Sequence, residues 1–182
     1  MGEGFESYAN DFTTGARTIT LSGFSLSYAT GNAGDSFGVT DVLNPTPGSS
    51  GLGPTAGSKY LYADFSAGAN NAVGFNFVSP ILAFGIDIKD LEVANINYLT
   101  SSGDAGTAGV PGIDGNVQFF GIVSDTPFTS VSFTEPGLAQ GDGLAFDQTT
   151  FSLAAAAVPE PATLGLFMAG LLFLRGARRS RV

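Results

Sequence analysis

Alternation of apolar and polar positions dominates residues 5–153. The clearest run sets Leu82, Phe84, Ile86 and Ile88 against Ala83, Gly85, Asp87 and Lys89, the period-two signature of a strand with one buried face. Val73, Phe75 and Phe77 share one face of a strand over 73–78, and residues 60–65 read as another. Between Thr18 and Tyr28, Ile19 and Leu21 take one parity while Phe24, Leu26 and Tyr28 take the other, with Gly23 at the break. A parity slip at a glycine predicts a bulge. Further strands are predicted over 93–99, 117–123, 129–133 and 144–153. Two Gly-rich stretches, 43–58 and 101–116, are predicted as exposed loops; the second repeats Gly at every third position from Gly103 to Gly115 but lacks the Pro of a collagen helix. About eight to ten short strands, with no 3.6-residue stripe before residue 160, predict an all-β fold. A jelly-roll-like antiparallel β-sandwich fits best, and an open β-barrel is the alternative.

The pattern changes at the C-terminus. The Ala-rich stretch 154–158 leads into Pro159, Glu160 and Pro161, then a thirteen-residue apolar run over 162–174, then Arg175, Arg178, Arg179 and Arg181. Pro161 suits a first helical position, and Glu160 suits the positive end of a helix. A helix over the apolar run would be about 20 Å long against a hydrocarbon core of roughly 30 Å, so it spans a bilayer only if the arginines snorkel and the membrane thins. It is apolar all round, which argues against a helix lying on the surface. The arginines beyond it predict a cytoplasmic C-terminus and an external domain. The predicted organisation is a β-sandwich domain over 1–153, a linker over 154–158, and an anchor over 159–182 with a short hydrophobic transmembrane helix at 161–174.

Composition sharpens this division. The net charge of −9 splits into −12 up to Val158, from three cations (Arg17, Lys59, Lys89) against fifteen acids, and +3 beyond it. So acidic a body repels phosphate backbones and excludes a nucleic-acid partner. The chain has no Cys and no His, which removes disulfides, thiolate metal sites and the commonest general base. The first residues have neither a basic region nor an apolar run. They are therefore no secretory signal: either the start is truncated or the export signal lies upstream of the assigned start, and truncation is the expectation.

The segment from Val158 through Pro159, Glu160, Pro161, the apolar stretch and the arginine cluster resembles the PEP-CTERM sorting signal of Gram-negative bacteria. The resemblance implies export through the Sec route and a transient inner-membrane anchor. It also implies recognition of Pro159, Glu160 and Pro161 by exosortase, cleavage nearby, and association with the cell surface, exopolysaccharide or biofilm. Residues 120–133 and 143–151, with their Gly-Ile-Val-Ser-Asp-Thr-Pro-Phe and Phe-Asp-Gln-Thr-Thr-Phe motifs, are similar to the C-terminal strands of jelly-roll domains common in such proteins.

The remaining residues offer little for catalysis. Asp87, Asp90 and Glu92 cross a strand end and its turn and read as solvated turn residues, and Asp125 reads as a turn former. The body is expected to be non-enzymatic. Hard oxygen donors in Gly-rich loops favour calcium over other metals. Jelly-roll sugar-binding domains often hold a structural calcium where first and last strands meet. By that analogy Glu6 and Asp147, then Asp41, are the candidate ligands. Tyr60, Tyr62 and Tyr98 could face a polysaccharide, though Tyr60 and Tyr62 alternate like packing residues, and the Phe residues are expected in the core. A calcium-dependent carbohydrate-binding module is the alternative to a matrix protein, and a secreted hydrolase comes third.

Overall fold

The computed structural model describes residues 2–3, 5–41, 52–67, 70–135 and 141–154. The predicted linker beyond Ala154, the anchor and its helix, Pro159, Glu160, Pro161 and the four terminal arginines lie outside them. Eleven strands follow in chain order: β1 (Gly2–Glu3), β2 (Asp11–Thr14), β3 (Arg17–Thr20), β4 (Phe24–Ala29), β5 (Ser36–Asp41), β6 (Lys59–Phe65), β7 (Ala72–Lys89), β8 (Ile96–Thr100), β9 (Ala105–Gly109), β10 (Val117–Thr134) and β11 (Asp142–Leu153). One 3-10 turn, Phe5–Ser7, separates β1 from β2. No helix among the described residues is long and apolar enough to cross a membrane.

Every pairing among these strands is antiparallel, and two long strands serve both layers. β7 and β10 pair from Val117↔Lys89 to Thr134↔Ala72. The first half of β7 takes β4 as its other neighbour, and β4 pairs with β3; the facing half of β10 takes β8, which pairs with β9. The second half of β7 instead takes β11, followed by β6, β5 and β2. The change of partners falls around Pro80 in β7 and between Val123 and Phe128 in β10. Proline lacks the N–H that a ladder requires, so Pro80 and Pro127 fit at these bends. The sequence pattern reads each long strand as two. The backbone runs on through the bend, and Asp125 lies in that irregular part of β10 rather than in a turn.

The two layers close on an aromatic core, giving a jelly-roll-like antiparallel sandwich. Phe75 on β7 is fully buried and lies 5.4 Å from Phe84, 5.9 Å from Phe133, and 6.2 Å from both Phe24 and Phe146, between ring centroids. Tyr28 of β4 stacks on Phe37 of β5 at 4.8 Å and 5°, a direct contact between layers. Phe24 meets Phe151 edge-on at 6.0 Å. Such tilted and edge-on pairs add to the burial of each ring.

Three local expectations are corrected. Gly23 adopts φ +92 in the tight connection between β3 and β4, where Leu21 N–H donates to the Phe24 carbonyl, so the parity slip is a hairpin turn and not a bulge. Within the predicted loop 101–116, residues Ala105–Gly109 form β9, an edge strand of small residues whose pairing with β8 leaves no apolar periodicity to read. Not every Phe is in the core: Phe12 is 39% exposed on β2, all four of whose residues are exposed, and Phe119 is 69% exposed on the outward parity of β10.

Candidate functional site

The expected meeting of first and last strands occurs: Gly2 pairs with Thr150 and Glu3 with Thr149. Glu6 follows directly, and its carboxylate accepts hydrogen bonds from Ser58 N–H (2.6 Å), Lys59 N–H (2.8 Å) and Ser58 Oγ (2.8 Å). Those bonds hold its carboxyl below the usual range, the Lys59 amide foremost. Asp147, buried on β11, accepts from Thr55 N–H (2.8 Å), Thr55 Oγ1 (3.1 Å) and Ala56 N–H (3.1 Å). Thr55 Oγ1 also donates to Asp87 at 2.8 Å. Glu6 and Asp147 thus grip opposite ends of one segment, 55–59, and lay it against the outer face of β7 and β11. Asp41 accepts from Asn10 Nδ2 at 2.7 Å.

The same outer face carries a shallow groove of about 550 Å³, lined by Ala83, Phe84, Phe119, Ile122, Thr150 and Phe151. Phe119 lies over two glycines paired across β7 and β10. A Cβ on Gly85 would sit 2.8 Å from its ring, and one on Gly121 would sit 2.9 Å from it. A Cβ at either position would push this exposed ring off the sheet. The ring therefore lies flat on the sheet with its other side toward solvent. Of the predicted aromatic faces, Tyr60 and Tyr62 are buried with Ala145, and Tyr98 packs on Phe120 at 4.8 Å. The exposed platform is Phe119, one of the Phe residues expected in the core.

Acidic side chains gather at the loops joining β7 to β8 and β9 to β10. Asp90, Glu92 and Asp114 each present a carboxylate oxygen, and the three oxygens lie within 4.8 Å of one another. Asp90 is only 3% exposed, unlike the solvated turn residue that its sequence context suggests, and it holds φ +70. Its Oδ1 accepts from Gly115 N–H at 2.7 Å. Burial and then the neighbouring carboxylates raise its carboxyl above the ordinary range, and Glu92 is raised by the same two effects. Asp142 accepts from Glu92 N–H and Val93 N–H, each at 3.2 Å, so it shapes the first loop.

Residues 157–181 match the family model described as the PEP-CTERM protein-sorting motif. No curated protein sequence matches the chain. Among solved structures, the chain is similar to a variant of the family 29 carbohydrate-binding module CBM29-2, with 13% identity and a TM-score of 0.43, over 84% of this chain and 99% of that one. It is also similar to the family 11 carbohydrate-binding module from Clostridium thermocellum in complex with a mixed-linked tetrasaccharide, with 11% identity and a TM-score of 0.43, over 78% and 98% of the chains. TmCBM61 in complex with β-1,4-galactotriose gives 11% identity and a TM-score of 0.47, over 71% and 88%. On its own residues, then, the chain is an all-β antiparallel sandwich that carries a PEP-CTERM sorting motif at its C-terminal end.

Proposed function

We propose that this chain is a non-enzymatic exported protein of the cell surface or extracellular matrix, delivered by its C-terminal signal and associated with exopolysaccharide. The match of the sorting motif to residues 157–181 carries the reading. In it, Pro159, Glu160 and Pro161 are read by exosortase. The apolar run holds the precursor in the inner membrane, and Arg175, Arg178, Arg179 and Arg181 keep the tail on the cytoplasmic side. The test is intact mass and fractionation of the protein from cells that export it. Replacing Pro159, Glu160 and Pro161 with Ala leaves the unprocessed chain in the inner membrane. Normal maturation of that variant sinks the sorting reading.

A second reading, a calcium-dependent carbohydrate-binding module, is favoured by Phe119. A flat ring exposed in an open apolar groove suits the apolar face of a sugar and is otherwise a liability in water. Phe119→Ala weakens retention in a native gel containing the cell's own exopolysaccharide by about tenfold, equivalent to ~1.4 kcal/mol. Because the ring is outside the core, the thermal midpoint stays close to that of the parent. Equal retention of parent and variant removes Phe119 from any sugar site.

A further inference from the structure

The first half of β10 is an open sheet edge. It pairs with β7 on one side, while β8 joins β10 only from Val131 to Thr134, so no described strand lies beyond residues 117–123. One bond fixes the phase of the ladder: Asp90 N–H donates to the Asn116 carbonyl, one step before the Val117↔Lys89 pair. Bonded pairs alternate in an antiparallel ladder, so Gln118, Phe120 and Ile122 exchange their backbone bonds with β7. The N–H and C=O groups of Val117, Phe119, Gly121 and Val123 therefore point away from β7, out of the edge. Side chains follow the same alternation. The even ones face the other layer, where Phe120 packs on Tyr98 and Gln118 exchanges two hydrogen bonds with the Val110 backbone. The odd ones face solvent: Val117, Phe119 and Val123 are 53%, 69% and 84% exposed.

An edge of this kind is a template for another strand, and proteins ordinarily guard it with charge, proline or a cover. Residues 117–123 hold no charged residue and no proline, although the body is acidic; Asp125 and Pro127 come only after them. We propose that this edge pairs with the same edge of a second copy, antiparallel across a two-fold axis at Phe120, so that two sheets become one. The strip reads alike from either end, which a self-complementary interface requires. Val117 falls opposite the partner's Val123, and Phe119 falls opposite the partner's Gly121. The Phe119 ring, which already lies over Gly121, then meets the partner's Phe119 beside the axis. Every one of these pairs joins residues whose backbone groups point outward, so the ladder closes in this register. A sugar would use the ring and leave that backbone row unmet, and a foreign strand has no need of valines spaced evenly about Phe120. The three exposed side chains offer about 400 Å² per copy, half of the ~800 Å² a side of a standard interface, and the ladder atoms add to it. The dimer is therefore a transient one. It rests on neither the sorting nor the sugar reading.

The chain has no Cys, so introduced thiols report on this edge alone. Val117→Cys and Val123→Cys, both at exposed positions, are prepared separately as full chains in detergent, without polysaccharide. Each is oxidised alone and as an equal mixture, at a chain concentration of about 10⁻⁴ M suited to a transient contact. Facing Cα atoms of a bonded pair lie about 5.5 Å apart, within the span of a disulfide. Two copies of one variant place their thiols six residues apart along the joined strands, about 20 Å, which is out of reach. The mixture is expected to form disulfide-linked dimer about tenfold faster, or more, than either variant alone. Adding Phe119→Lys to both variants sets like charges beside the axis and abolishes that excess. The melting temperature does not change, because the ring is outside the core. Equal linkage in the mixture and in the single variants, the pattern of association through the apolar tail alone, overturns the proposal. So does an excess that survives Phe119→Lys.

Discussion

Phe75→Ala is expected to remove about 3–5 kcal/mol of stability, a large part of the ~5–15 kcal/mol typical of a domain. Phe75 has no exposed surface, and its ring touches Phe24 on the neighbouring strand, Phe84 beyond the bend of its own strand, Phe133 on β10 and Phe146 on β11. Truncation therefore opens a void where both layers meet, and the surrounding rings belong to four elements that cannot all move inward together. Burial of the lost carbons accounts for part of the cost and the residual cavity for the rest. Urea unfolding of parent, Phe75→Leu and Phe75→Ala measures it. Leu, which fills much of the space, lies between the other two. A loss below about 1 kcal/mol for Ala would mean that the layers collapse freely at this point, and that the sandwich is not organised around Phe75.

The sequence makes this residue legible because Val73, Phe75 and Phe77 recur with period two, and that period determines the inner face of β7. What periodicity does not carry is continuity. A strand that changes partners at Pro80 looks like two strands, because the break in alternation and the proline are both present while the backbone stays extended. Phe119 and Phe120 carry a further signal in the sequence. Neighbours in a strand point to opposite faces, so one of the pair had to face outward. Phe120 is the buried member and Phe119 the platform. The acidic cluster was beyond local reading. Asp90 and Asp114 belong to separate loops, brought together only by the register of β7 with β10, in which Lys89 pairs with Val117. Glu6 and Asp147 are calcium candidates only by analogy with first and last strands meeting, and β1 does pair with β11. Their work in holding residues 55–59 depends on a segment whose Gly and Ser content gives no hint of a partner.

Glu135→Gln is expected to stabilise the protein in EDTA at pH 8 by about 1–3 kcal/mol, an unusual direction for a change at a buried site. Burial, and then the charge of Asp142, push the Glu135 carboxyl up to about 9. An unfolded chain ionises this group near 4.5. Between those values the unfolded state gives up the proton and the folded state keeps it, so stability falls as pH rises through the window. Glutamine has no proton to lose and is free of that penalty. Its amide is still without a hydrogen-bond partner in the same position, which is why the gain is smaller than the full linkage effect. The advantage of Gln should be slight at pH 4.5, grow through neutrality and level off above about pH 9. Urea midpoints of both proteins at pH 5 and pH 8, with EDTA throughout, give the comparison. A parent that matches or exceeds the variant at pH 8 would show that Glu135 is not held as an unpaired buried acid.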